Sequence, residues 1–550
     1  YGMPGFTDLL PQIAGAYREQ QTEIAKQSAW LRAALARTVP PPASQSALTS
    51  APLDTALREL KDSFDEVEGG LGSAPKFPHP AELELCLLSG VTQDDDYAQQ
   101  MVKLTLTKMA EGGIYDQLGG GFCRYSVDDE WSIPHFEKML HDNGQLLSLY
   151  SDAWLVERHP LLEQTVRETA GWIMREMQSS AGGYYSSLDA DSEHEEGRYY
   201  IWTPDEVRAL VTGDEYAVVA PHYGLDRPPN FERTAWHLRV AKPLDVIAGH
   251  LGIATARANS LLDSARRKLL AARERRVRPG RDEKVLTSWN ALTIRGMARA
   301  ARAFGVGEWL ASARRATEFI RSTLWRDGRL LATCKDGTAH LNAYLDDYAF
   351  MLDALLELMQ HDFRTDDLEW SRALAETLLD QFEDRAGGGF FFVSHDHERL
   401  IHRIKSGSDH ATPAGNGIAA LALNRLGHLL GEPRYNEAAR RALNAFKPLL
   451  AQNAIAHASL LTALEEELAP PTLVILRGAT GIAEWQRDLA NRYLPHALVV
   501  ALPADVEDLP ASLRKPSTDA VNAWVCRGVT CLPPIAQRAG LIDAVMTSPA

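Results

Sequence analysis

The strongest constraint on the fold is a short glycine-based turn that recurs along the chain. Each turn follows a stretch with helical apolar spacing, and large apolar residues usually come next. The five turns are Gly69-Gly70-Leu71, Gly119-Gly120-Gly121-Phe122, Gly182-Gly183-Tyr184-Tyr185, Asp327-Gly328-Arg329-Leu330 and Gly387-Gly388-Gly389-Phe390-Phe391. They lie about 50, 63, 145 and 60 residues apart, and the third interval returns to roughly 60 when residues 194–285 are subtracted. This spacing predicts one helical hairpin repeated around a closed structure.

Apolar periodicity predicts twelve helices in six pairs. The first members of the pairs span 54–66, 96–111, 160–178, 308–325, 369–384 and 434–451. The second members span 79–90, 135–157, 286–304, 342–361, 410–430 and 454–468. The second members carry apolar residues on two faces, so we expect them to form an inner ring surrounded by protein. The predicted fold class is mainly α, an (α/α)6 barrel with a small C-terminal α/β segment.

The barrel is expected to span residues 53–470, with an insertion at 194–285. Within the insertion, the sequence predicts a strand at Arg198–Trp202 and a long helix near 254–276. The basic residues of that helix, from Arg266 to Arg281, are expected to form a solvated face.

Both ends of the chain differ from the barrel in composition. Residues 6–36 are predicted as one amphipathic helix, and the Pro/Ser/Ala-rich stretch 39–52 as a linker. Residues 471–550 alternate strand and helix patterns, which predicts the small α/β segment.

Composition excludes several classes of partner. The 550 residues carry a formal net charge of -16, and a polyanion such as nucleic acid requires a basic surface instead. Apolar runs stop short of the roughly 20 residues that span a bilayer, so we expect a soluble, cytoplasmic protein with no membrane partner. The sequence does not indicate an oligomeric state.

Five cysteines in 550 residues are too few for a disulfide framework and suit a reducing compartment. Cys526 and Cys531 are expected to be reduced, because their spacing is not that of a redox motif and no basic group is expected beside Cys531. The alternative is a disulfide across a turn, which needs Cα atoms within about 7 Å.

The repeated topology predicts where polar residues converge. If every glycine turn leads from an outer helix to an inner one, all inner-helix N-termini lie at one mouth of the barrel. Their positive dipole ends favour anionic or hydroxyl-rich ligands. Candidate acid, base or catalytic groups at this mouth are His135, His141, Asp142, Asp346 and Asp347. The alternative is that these groups join inner helices through buried hydrogen bonds.

Further residues near the same helix starts are predicted to bind substrate. Aromatic faces, amides and a guanidinium suit sugar hydroxyls and rings. These candidates are Tyr115, Arg124, Trp289, Asn290, Tyr348 and Asn416. Paired carboxylates about 5–5.5 Å apart would indicate a retaining glycosidase, and about 6.5–9.5 Å an inverting one.

No cofactor or metal is expected. The acidic run Asp189, Asp191, Glu193, Glu195 and Glu196 lacks the glycine and the spacing of a calcium-binding loop. The chain contains neither a nucleophile elbow nor a phosphate-binding loop.

Several long motifs resemble one known family. They are Gly72–His79, Gly112–Asn143, Leu188–Glu193, Lys284–Asn290, Leu345–Phe350 and Val525–Pro534. Through them the chain resembles the spermatogenesis-associated, thioredoxin-domain-containing family. That resemblance implies a thioredoxin-like domain joined to a barrel similar to N-acylglucosamine 2-epimerases and six-hairpin glycosidases. It also implies that residues 1–38 are the end of the thioredoxin-like domain.

Two functions follow as hypotheses. The first is a carbohydrate-active or carbohydrate-binding barrel, glycosidase- or epimerase-like, with Asp142 and one of Asp346 or Asp347 as the acid/base pair. Epimerization has less support, because the His-x-x-Glu pattern that the resemblance implies is absent from the expected inner helices. The second is a non-catalytic scaffold that serves a thioredoxin-like redox domain.

Overall fold

A computed structural model describes residues 5–36, 39–40, 47–528 and 530–546. Most of these residues are helical. The α-helices are α1 (Phe6–Glu19), α2 (Gln21–Ala36), α3 (Ala51–Asp62), α4 (Pro80–Thr92), α5 (Asp96–Glu111), α6 (Leu140–Val156), α7 (Pro160–Trp172), α8 (Pro204–Leu210), α9 (Gly213–His222), α10 (Leu244–Leu251), α11 (Thr255–Arg273), α12 (Thr287–Phe304), α13 (Gly307–Phe319), α14 (Leu345–His361), α15 (Thr365–Thr377), α16 (Gly415–Leu430), α17 (Pro433–Gln452), α18 (Ala458–Leu468), α19 (Ile482–Ala490) and α20 (Ala539–Met546). π-Helical turns extend α7, α13 and α15 at Ile173–Met177, Ile320–Leu324 and Leu378–Phe382, and a 3₁₀ turn, Ala454–His457, precedes α18.

The strands are short, and most lie in the turns. They are β1 (Tyr125–Ser126), β2 (Pro134–His135), β3 (Lys138–Met139), β4 (Ser187–Leu188), β5 (Asp191–Ser192), β6 (Glu195–Glu196), β7 (Arg281–Asp282), β8 (Val285–Leu286), β9 (Trp325–Arg326), β10 (Arg329–Lys335), β11 (Thr338–Asn342), β12 (Thr472–Arg477), β13 (Ala497–Leu502), β14 (Asn522–Arg527) and β15 (Thr530–Cys531).

The barrel is a closed double ring of helices. In the inner ring α4, α6, α12, α14, α16 and α18 contact one another in that order, and α18 contacts α4. Each inner helix from α4 to α16 packs on the outer helix that follows it in the chain, and α18 packs on α3. The (α/α)6 barrel predicted from the glycine turns is therefore confirmed.

The inner and outer helices differ in burial, as the apolar patterns predict. Helix α14 is buried continuously from Asp347 to Gln360, because neighbours surround it on every side. Helix α13 buries a single stripe that includes Trp309, Ala313 and Ala316. Continuous burial marks α14 as an inner helix, and the single stripe marks α13 as an outer one.

A buried ion pair fixes the glycine turn that precedes α6. Asp116 Oδ1 accepts the backbone N–H groups of Leu118 (3.1 Å) and Gly119 (3.0 Å). Its Oδ2 accepts a hydrogen bond from Lys138 Nζ at 2.8 Å, and Lys138 also donates to the oxygen of Gly120 at 2.9 Å. The lysine thus ties the turn to the strand that leads into the inner helix.

We call this contact, in which a lysine pairs with the aspartate that caps a glycine turn, an aspartate–lysine lock. It recurs in two other hairpins. Lys76 Nζ lies 2.7 Å from Asp65 Oδ2, and Lys405 Nζ lies 2.6 Å from Asp384 Oδ2. Asp65 and Asp384 each accept two backbone N–H groups of their own turns, as Asp116 does. The repeat seen in the sequence is therefore also a repeat of side-chain contacts.

Glycine is needed in the Asp116 turn for a steric reason. Gly120 and Gly121 have φ of +76° and +80°, in the left-handed region that favours glycine. A Cβ at Gly120 would lie 2.4 Å from the backbone oxygen of Glu168, and one at Gly121 would lie 2.7 Å from the ring of Trp172. The turn packs too closely on the outer helix α7 for any other residue.

Three sequence predictions of local structure were wrong. The inner helix predicted over 135–157 begins at Leu140, because His135 and Met139 lie in the short strands β2 and β3. The predicted single helix 6–36 is broken at Gln20, whose φ and ψ of -120° and 30° are not helical. Residues 198–200 form turns instead of a strand, and nearby Trp202 makes only an isolated bridge to Trp236.

The basic face of α11 is solvated only in part: Arg267, Lys268, Arg275, Arg278 and Arg281 are exposed as predicted, but Arg266 and Arg273 are not. Arg273 is 3% exposed and makes two hydrogen bonds with Asp116, at 2.7 and 2.8 Å. Arg266 donates to the oxygen of Gln117 and to Glu168 Oε2, at 2.9 and 2.8 Å. These arginines dock the insertion onto the glycine turn before α6, so their charges are paired with carboxylates of the protein itself.

The C-terminal segment is a four-stranded sheet in the order β13-β12-β14-β15, as the strand and helix patterns predict. One face, with Ile475, Val500 and Trp524, joins the barrel core. The other face packs with residues of α19 and α20, including Trp485 and Leu541. The segment is therefore a layer between the barrel and two helices.

The prediction that Cys526 and Cys531 are free thiols was wrong. They face each other as antiparallel partners in β14 and β15 and form a disulfide with a Cα–Cα distance of 3.9 Å. Lys515 Nζ lies 3.5 Å from the Sγ of Cys531, so a basic group does adjoin it. The hairpin pairing brings the two cysteines together, and their spacing in the sequence did not reveal that pairing.

The N-terminal helices of the described chain are not buried. Helices α1 and α2, which fill nearly all of the described range 5–36, bury none of their residues. The predicted linker 39–52 lies partly outside the described residues, and so do the first residues of the stretch 1–38. None of the described helices combines the length and the apolar character that a bilayer crossing requires.

Candidate active site at the barrel mouth

The N-termini of the inner helices bring three predicted site residues together. His141 and Asp142 lie in the first turn of α6, and Trp289 lies in the first turn of the neighbouring α12. The His141 and Trp289 rings are 4.4 Å apart between centroids, and His141 Nε2 is 3.2 Å from Asp142 Oδ1. An aromatic surface, an imidazole and a carboxylate therefore form one continuous cluster.

His141 and Asp142 carry buried polar atoms that lack partners. Both ring nitrogens of His141 and the Oδ2 of Asp142 make no hydrogen bond to any described residue. The two residues are only 2% and 6% exposed. His141 Nε2 has only the nearby Asp142 Oδ1, at 3.2 Å and outside hydrogen-bond geometry. Because buried polar groups are normally hydrogen-bonded, these unsatisfied atoms mark the cluster as a place where a ligand or a water molecule would complete the bonding.

Asp347 mainly holds two inner helices together. Its Oδ1 accepts the backbone N–H of Ser288 in α12 at 2.8 Å, and its Oδ2 accepts the N–H of Tyr344 at 2.8 Å. Burial raises the pKa of this carboxyl to about 6, although the hydrogen bonds oppose that rise. The side chain caps α14 and links it to α12.

Asp346 is the more accessible carboxyl of the pair. It is half-buried, and burial together with the neighbouring charge of Asp347 raises its pKa to about 7. The start of α16 lies against it, since a Cβ added at Gly415 would be 2.1 Å from Asp346 Oδ1. A carboxyl with this pKa is partly protonated at neutral pH and can donate a proton.

Asp409 is a mouth carboxyl that the sequence analysis did not identify. It accepts the backbone N–H groups of Ala414 (2.7 Å) and Ser459 (2.9 Å) and the hydroxyl of Ser459. Burial raises its pKa to about 6. The available signal was its place just before a predicted inner helix, where aspartate commonly accepts free N–H groups of the first turn.

The segment before α16 crosses the mouth. Gln145 Nε2 in α6 donates to the backbone oxygen of Ala411 at 2.9 Å. Helices α6 and α16 lie on opposite sides of the six-helix inner ring. The residues just before α16 therefore reach across the barrel axis and cover the mouth near His141.

Asn290 and Asn416, predicted to bind substrate, make their hydrogen bonds within the protein. Asn290 bonds both the N–H and the oxygen of Tyr184, at 2.7 and 2.9 Å, and the oxygen of Leu286 at 2.9 Å. Asn416 bonds the N–H and the oxygen of Phe390 in the same way, at 2.7 and 2.9 Å. Each amide clamps the aromatic residue that follows a glycine turn.

Tyr115 and Tyr348, also predicted to bind substrate, use their hydroxyl groups in hydrogen bonds within the protein. The Tyr115 hydroxyl donates to Glu168 Oε2 in the outer helix α7 at 2.8 Å. The Tyr348 hydroxyl accepts the backbone N–H of Leu330 at 2.9 Å. Burial raises the pKa of both phenols above the ordinary value, so both remain neutral.

His135 lies on a separate, partly exposed patch. Its Nδ1 is 2.7 Å from Glu196 Oε1, and its ring stacks on Tyr125 with centroids 5.1 Å apart. Phe77 packs on the other side of the stack, 4.9 Å from Tyr125. Phe77 was not predicted as a site residue, because it stands in a loop without helical periodicity, and Tyr125 lies in the short strand β1.

Arg124 belongs to the same region of the molecule. Its Nη1 lies 3.6 Å from Glu137 Oε2, which is 3.7 Å from His135 Nε2. The ion pairs and ring contacts of Arg124 and His135 are with Glu137, Glu196 and Tyr125, and not with the His141–Trp289 cluster. The structure therefore divides the predicted residues between two places.

Buried ion pairs fill the interior of the barrel below the mouth. Arg299 of α12 bonds Asp152 of α6 at 2.6 Å and Glu357 of α14 at 3.0 Å. Arg425 of α16 bonds Glu466 of α18 at 2.7 Å. Glu84 of α4 also accepts a hydrogen bond from Arg299, at 3.0 Å, so this group of ion pairs involves all six inner helices.

The fold and this cluster define a class: a closed (α/α)6 barrel with carboxyl, imidazole and indole groups gathered at one mouth. The sequence relatives identify the family more closely. Spermatogenesis-associated protein 20 of Homo sapiens is 31% identical over 527 residues, which are 87% of this chain and 67% of that protein. The protein of the same name in Mus musculus is 30% identical and matches 90% of this chain and 68% of its own length. The chain belongs to the spermatogenesis-associated protein 20 family.

Other comparisons add less. An uncharacterized protein of Caenorhabditis elegans is 29% identical over 97% of this chain and 78% of its own length. No protein-family model matches the chain.

Solved structures give only weak matches. They include a sugar epimerase from a ruminal bacterium (12% identity, TM-score 0.31, 72% of this chain and 96% of that one). An unsaturated glucuronyl hydrolase specific for heparin is 10% identical with a TM-score of 0.44, covering 76% and 94% of the two chains. At TM-scores below 0.5, these likenesses are too weak to say anything about the chemistry of this chain.

Proposed function

We propose that the barrel mouth binds a small carbohydrate and acts on it by acid/base chemistry, with Asp346 as the acid and Asp142 as its carboxylate partner. The observation that carries this proposal is the placement of Asp346. It is a half-buried carboxyl with a pKa of about 7, at the same mouth as buried, unpartnered polar atoms of His141 and Asp142.

Each group fits a step of glycoside hydrolysis. A general acid must be protonated near the working pH in order to protonate the leaving oxygen, and the raised pKa of Asp346 allows this. The second carboxylate must be free to approach the sugar or to activate water, and Asp142 Oδ2 is not engaged by any described residue. The roles of Asp346 and Asp142 are therefore complementary.

The remaining mouth residues fit substrate orientation. Trp289 is half-buried and offers an aromatic face to the apolar side of a sugar ring. His141, packed on that indole, has two ring nitrogens that can bond hydroxyl groups. Asp347 is assigned to positioning, since its two oxygens already accept backbone N–H groups.

A sugar panel tests the proposal. Thermal shift and product analysis are recorded for the wild type, Asp346→Asn, Asp142→Asn and the exposed-site control Asp263→Asn. A bound sugar at one hundred times its Kd should stabilise the folded state by about 2.7 kcal/mol. Both mouth variants should keep sugar binding and lose turnover, whereas the control should keep both. If no sugar at millimolar concentration raises the melting temperature of the wild type or of Gln145→Ala, in which the covering hydrogen bond to Ala411 is removed, the carbohydrate proposal fails.

A second candidate is a non-catalytic barrel that serves a thioredoxin-like redox domain. The observation that favours it is the Gln145–Ala411 hydrogen bond, which covers the mouth with the protein's own backbone. In that case no sugar should bind to the wild type or to Gln145→Ala, in which this cover is weakened. Sugar binding that appears only in Gln145→Ala would instead support the carbohydrate site.

A further inference from the structure

The disulfide in the C-terminal sheet joins two cysteines in different surroundings. Cys531 is exposed and lies in β15, the edge strand of the sheet, whereas Cys526 is 4% exposed and belongs to the face that packs on the barrel. A thiol in solution can therefore approach only one of the two sulfurs. In thiol–disulfide exchange, such asymmetry favours attack at the accessible sulfur.

A lysine lies beside the exposed sulfur. Lys515 Nζ is 3.5 Å from Cys531 Sγ, and Lys515 comes from the loop that precedes β14. An ammonium at this distance stabilises a thiolate over a thiol, and the thiolate is the reactive form. Once the disulfide is reduced, Cys531 is thus the more nucleophilic member of the pair.

The other three cysteines have the opposite environment. Cys86, Cys123 and Cys334 are buried free thiols. Burial raises the pKa of Cys86 and of Cys123 to about 12 and also raises that of Cys334. They remain protonated at neutral pH and serve as internal references of low reactivity.

We propose that Cys526 and Cys531 form a reversible thiol–disulfide exchange site that takes electrons from a thiol reductant, with Cys531 as the attacked and nucleophilic sulfur and Cys526 as the resolving one. The nearby ammonium of Lys515 and the difference in exposure between the two sulfurs support this assignment. The proposal concerns a site other than the barrel mouth and does not depend on the proposed carbohydrate chemistry.

The exchange balances as a two-electron transfer. A thiolate of the reductant attacks Cys531 Sγ, the bond between the two cysteines breaks, and Cys526 leaves as a thiolate that takes a proton from water. A second reductant thiolate attacks the reductant sulfur of the mixed disulfide, and Cys531 leaves as a thiolate beside Lys515. Two reductant thiols are oxidised to one disulfide, and the protein disulfide is reduced to a dithiol.

The first test uses the full chain in glutathione buffers of graded ratio. After acid quenching, the free thiols are alkylated and the cysteine peptides are quantified by mass spectrometry. Cys526 and Cys531 should become reduced together in the native protein, while the three buried cysteines are free thiols at every glutathione ratio. If the disulfide stays intact in about 10 mM reduced glutathione until the protein is unfolded, it is only a structural cross-link, and the proposal is overturned.

The second test measures reactivity after reduction. Pulsed alkylation at pH 7 should label Cys531 before Cys526, and Lys515→Gln should slow the labelling of Cys531 by about five-fold. Lys335→Gln, a change at an exposed lysine of β10, should leave the rate unaltered. Equal rates for both cysteines, or a Cys531 rate unchanged by Lys515→Gln, would refute the assigned roles.

A trapping variant gives an independent check. Cys526→Ser lacks the resolving thiol, so oxidised glutathione should leave a stable adduct on Cys531. If no adduct forms on the folded variant, the nucleophilic role of Cys531 is refuted. If the variant does not fold, the Lys515→Gln comparison in the otherwise native chain decides the question.

Discussion

The carboxyl of Asp346 and the backbone of Gly415 share one small space between two inner helices, with 2.1 Å separating Oδ1 from the position of a Cβ at residue 415. Gly415 begins α16, and Asp346 lies in the first turn of α14. The absence of a side chain at residue 415 is what allows the carboxyl its present position. The geometry of the mouth therefore depends on a residue with no chemistry of its own.

Gly415→Ala should displace Asp346 and lower any turnover at the mouth by about ten-fold or more, since small misplacements of a reacting group are costly. We also expect a loss of about 1–3 kcal/mol in the free energy of unfolding from overpacking. Gly249→Ala is the matched control, because a Cβ there meets nothing within 4 Å. Steady-state kinetics and urea unfolding measure both effects, and equal behaviour of the two variants would contradict the prediction.

Replacing Asp346 by asparagine should weaken the pH dependence of stability. The folded pKa of about 7 exceeds the unfolded value of about 4, so the folded state holds this proton more tightly. The contribution of this proton to the free energy of unfolding is complete below about pH 4 and is lost as the pH rises through about 7. Between pH 5 and pH 8, the free energy of unfolding of Asp346→Asn should therefore fall by about 2–3 kcal/mol less than that of the wild type.

Urea unfolding at the two pH values measures this difference, with Asp263→Asn as a control of equal charge change. A wild-type stability that rises between pH 5 and pH 8 relative to Asp346→Asn would show that the carboxyl is ionised in the folded protein throughout. The assigned acid role would then be untenable.

Lys138→Met should destabilise the fold by about 2–4 kcal/mol. The substitution removes one of the two buried cations that face Asp116, leaving only Arg273, and frees the oxygen of Gly120. Lys335→Met, at an exposed lysine, should change stability by less than about 0.5 kcal/mol. Chemical denaturation of both variants provides the measurement, and similar midpoints would show that the lock contributes little.

Asn290→Ala should reduce stability without affecting a sugar that binds at the mouth. It removes three hydrogen bonds that hold the Tyr184 turn and leaves buried backbone groups unpaired, for a loss of about 2–4 kcal/mol. Asn259→Ala, on the exposed side of α11, should have almost no effect. A weakened sugar affinity in Asn290→Ala, measured well below its melting temperature, would return Asn290 to the binding site.

Gln145→Ala should loosen the segment that covers the mouth. Amide hydrogen exchange of residues 406–414 should become about ten-fold faster, because the hydrogen bond to Ala411 is lost while the barrel core stays intact. Gln164→Ala, which removes a surface bond to Glu168, is the control. Unchanged protection of the segment would mean that other contacts, such as those of Asp409, hold it in place.

The ring of helices could be predicted from the sequence because its signals are local. Each glycine turn encodes its own backbone conformation, and two-sided apolar patterns such as that of α14 separate inner from outer helices. The position of the mouth could also be predicted, because the order of outer and inner helices places all inner-helix N-termini at one end of the barrel. His141, Asp142, Asp346 and Trp289 were predicted correctly to lie at inner-helix N-termini.

Side-chain direction could not be predicted in the same way. Asn290 follows Trp289 directly, yet the rotation of α12 turns the amide to the Tyr184 turn and the indole to the mouth. That rotation depends on packing between helices far apart in sequence. The pairing of Cys526 with Cys531 was missed for a related reason, since it rests on a two-residue edge strand too short to leave a pattern.

The aspartate–lysine locks of three hairpins each join residues that are close in sequence. The lock of Asp116 and Lys138 closes within 22 residues, and the lock of Asp384 and Lys405 within 21. The insertion 194–285 lies within a hairpin that has no such lock, and its Arg273 adds a second cation to the lock of Asp116 and Lys138. An engineer who opens the ring at a new loop and joins it elsewhere would keep every lock, so circularly permuted versions of this barrel should still assemble.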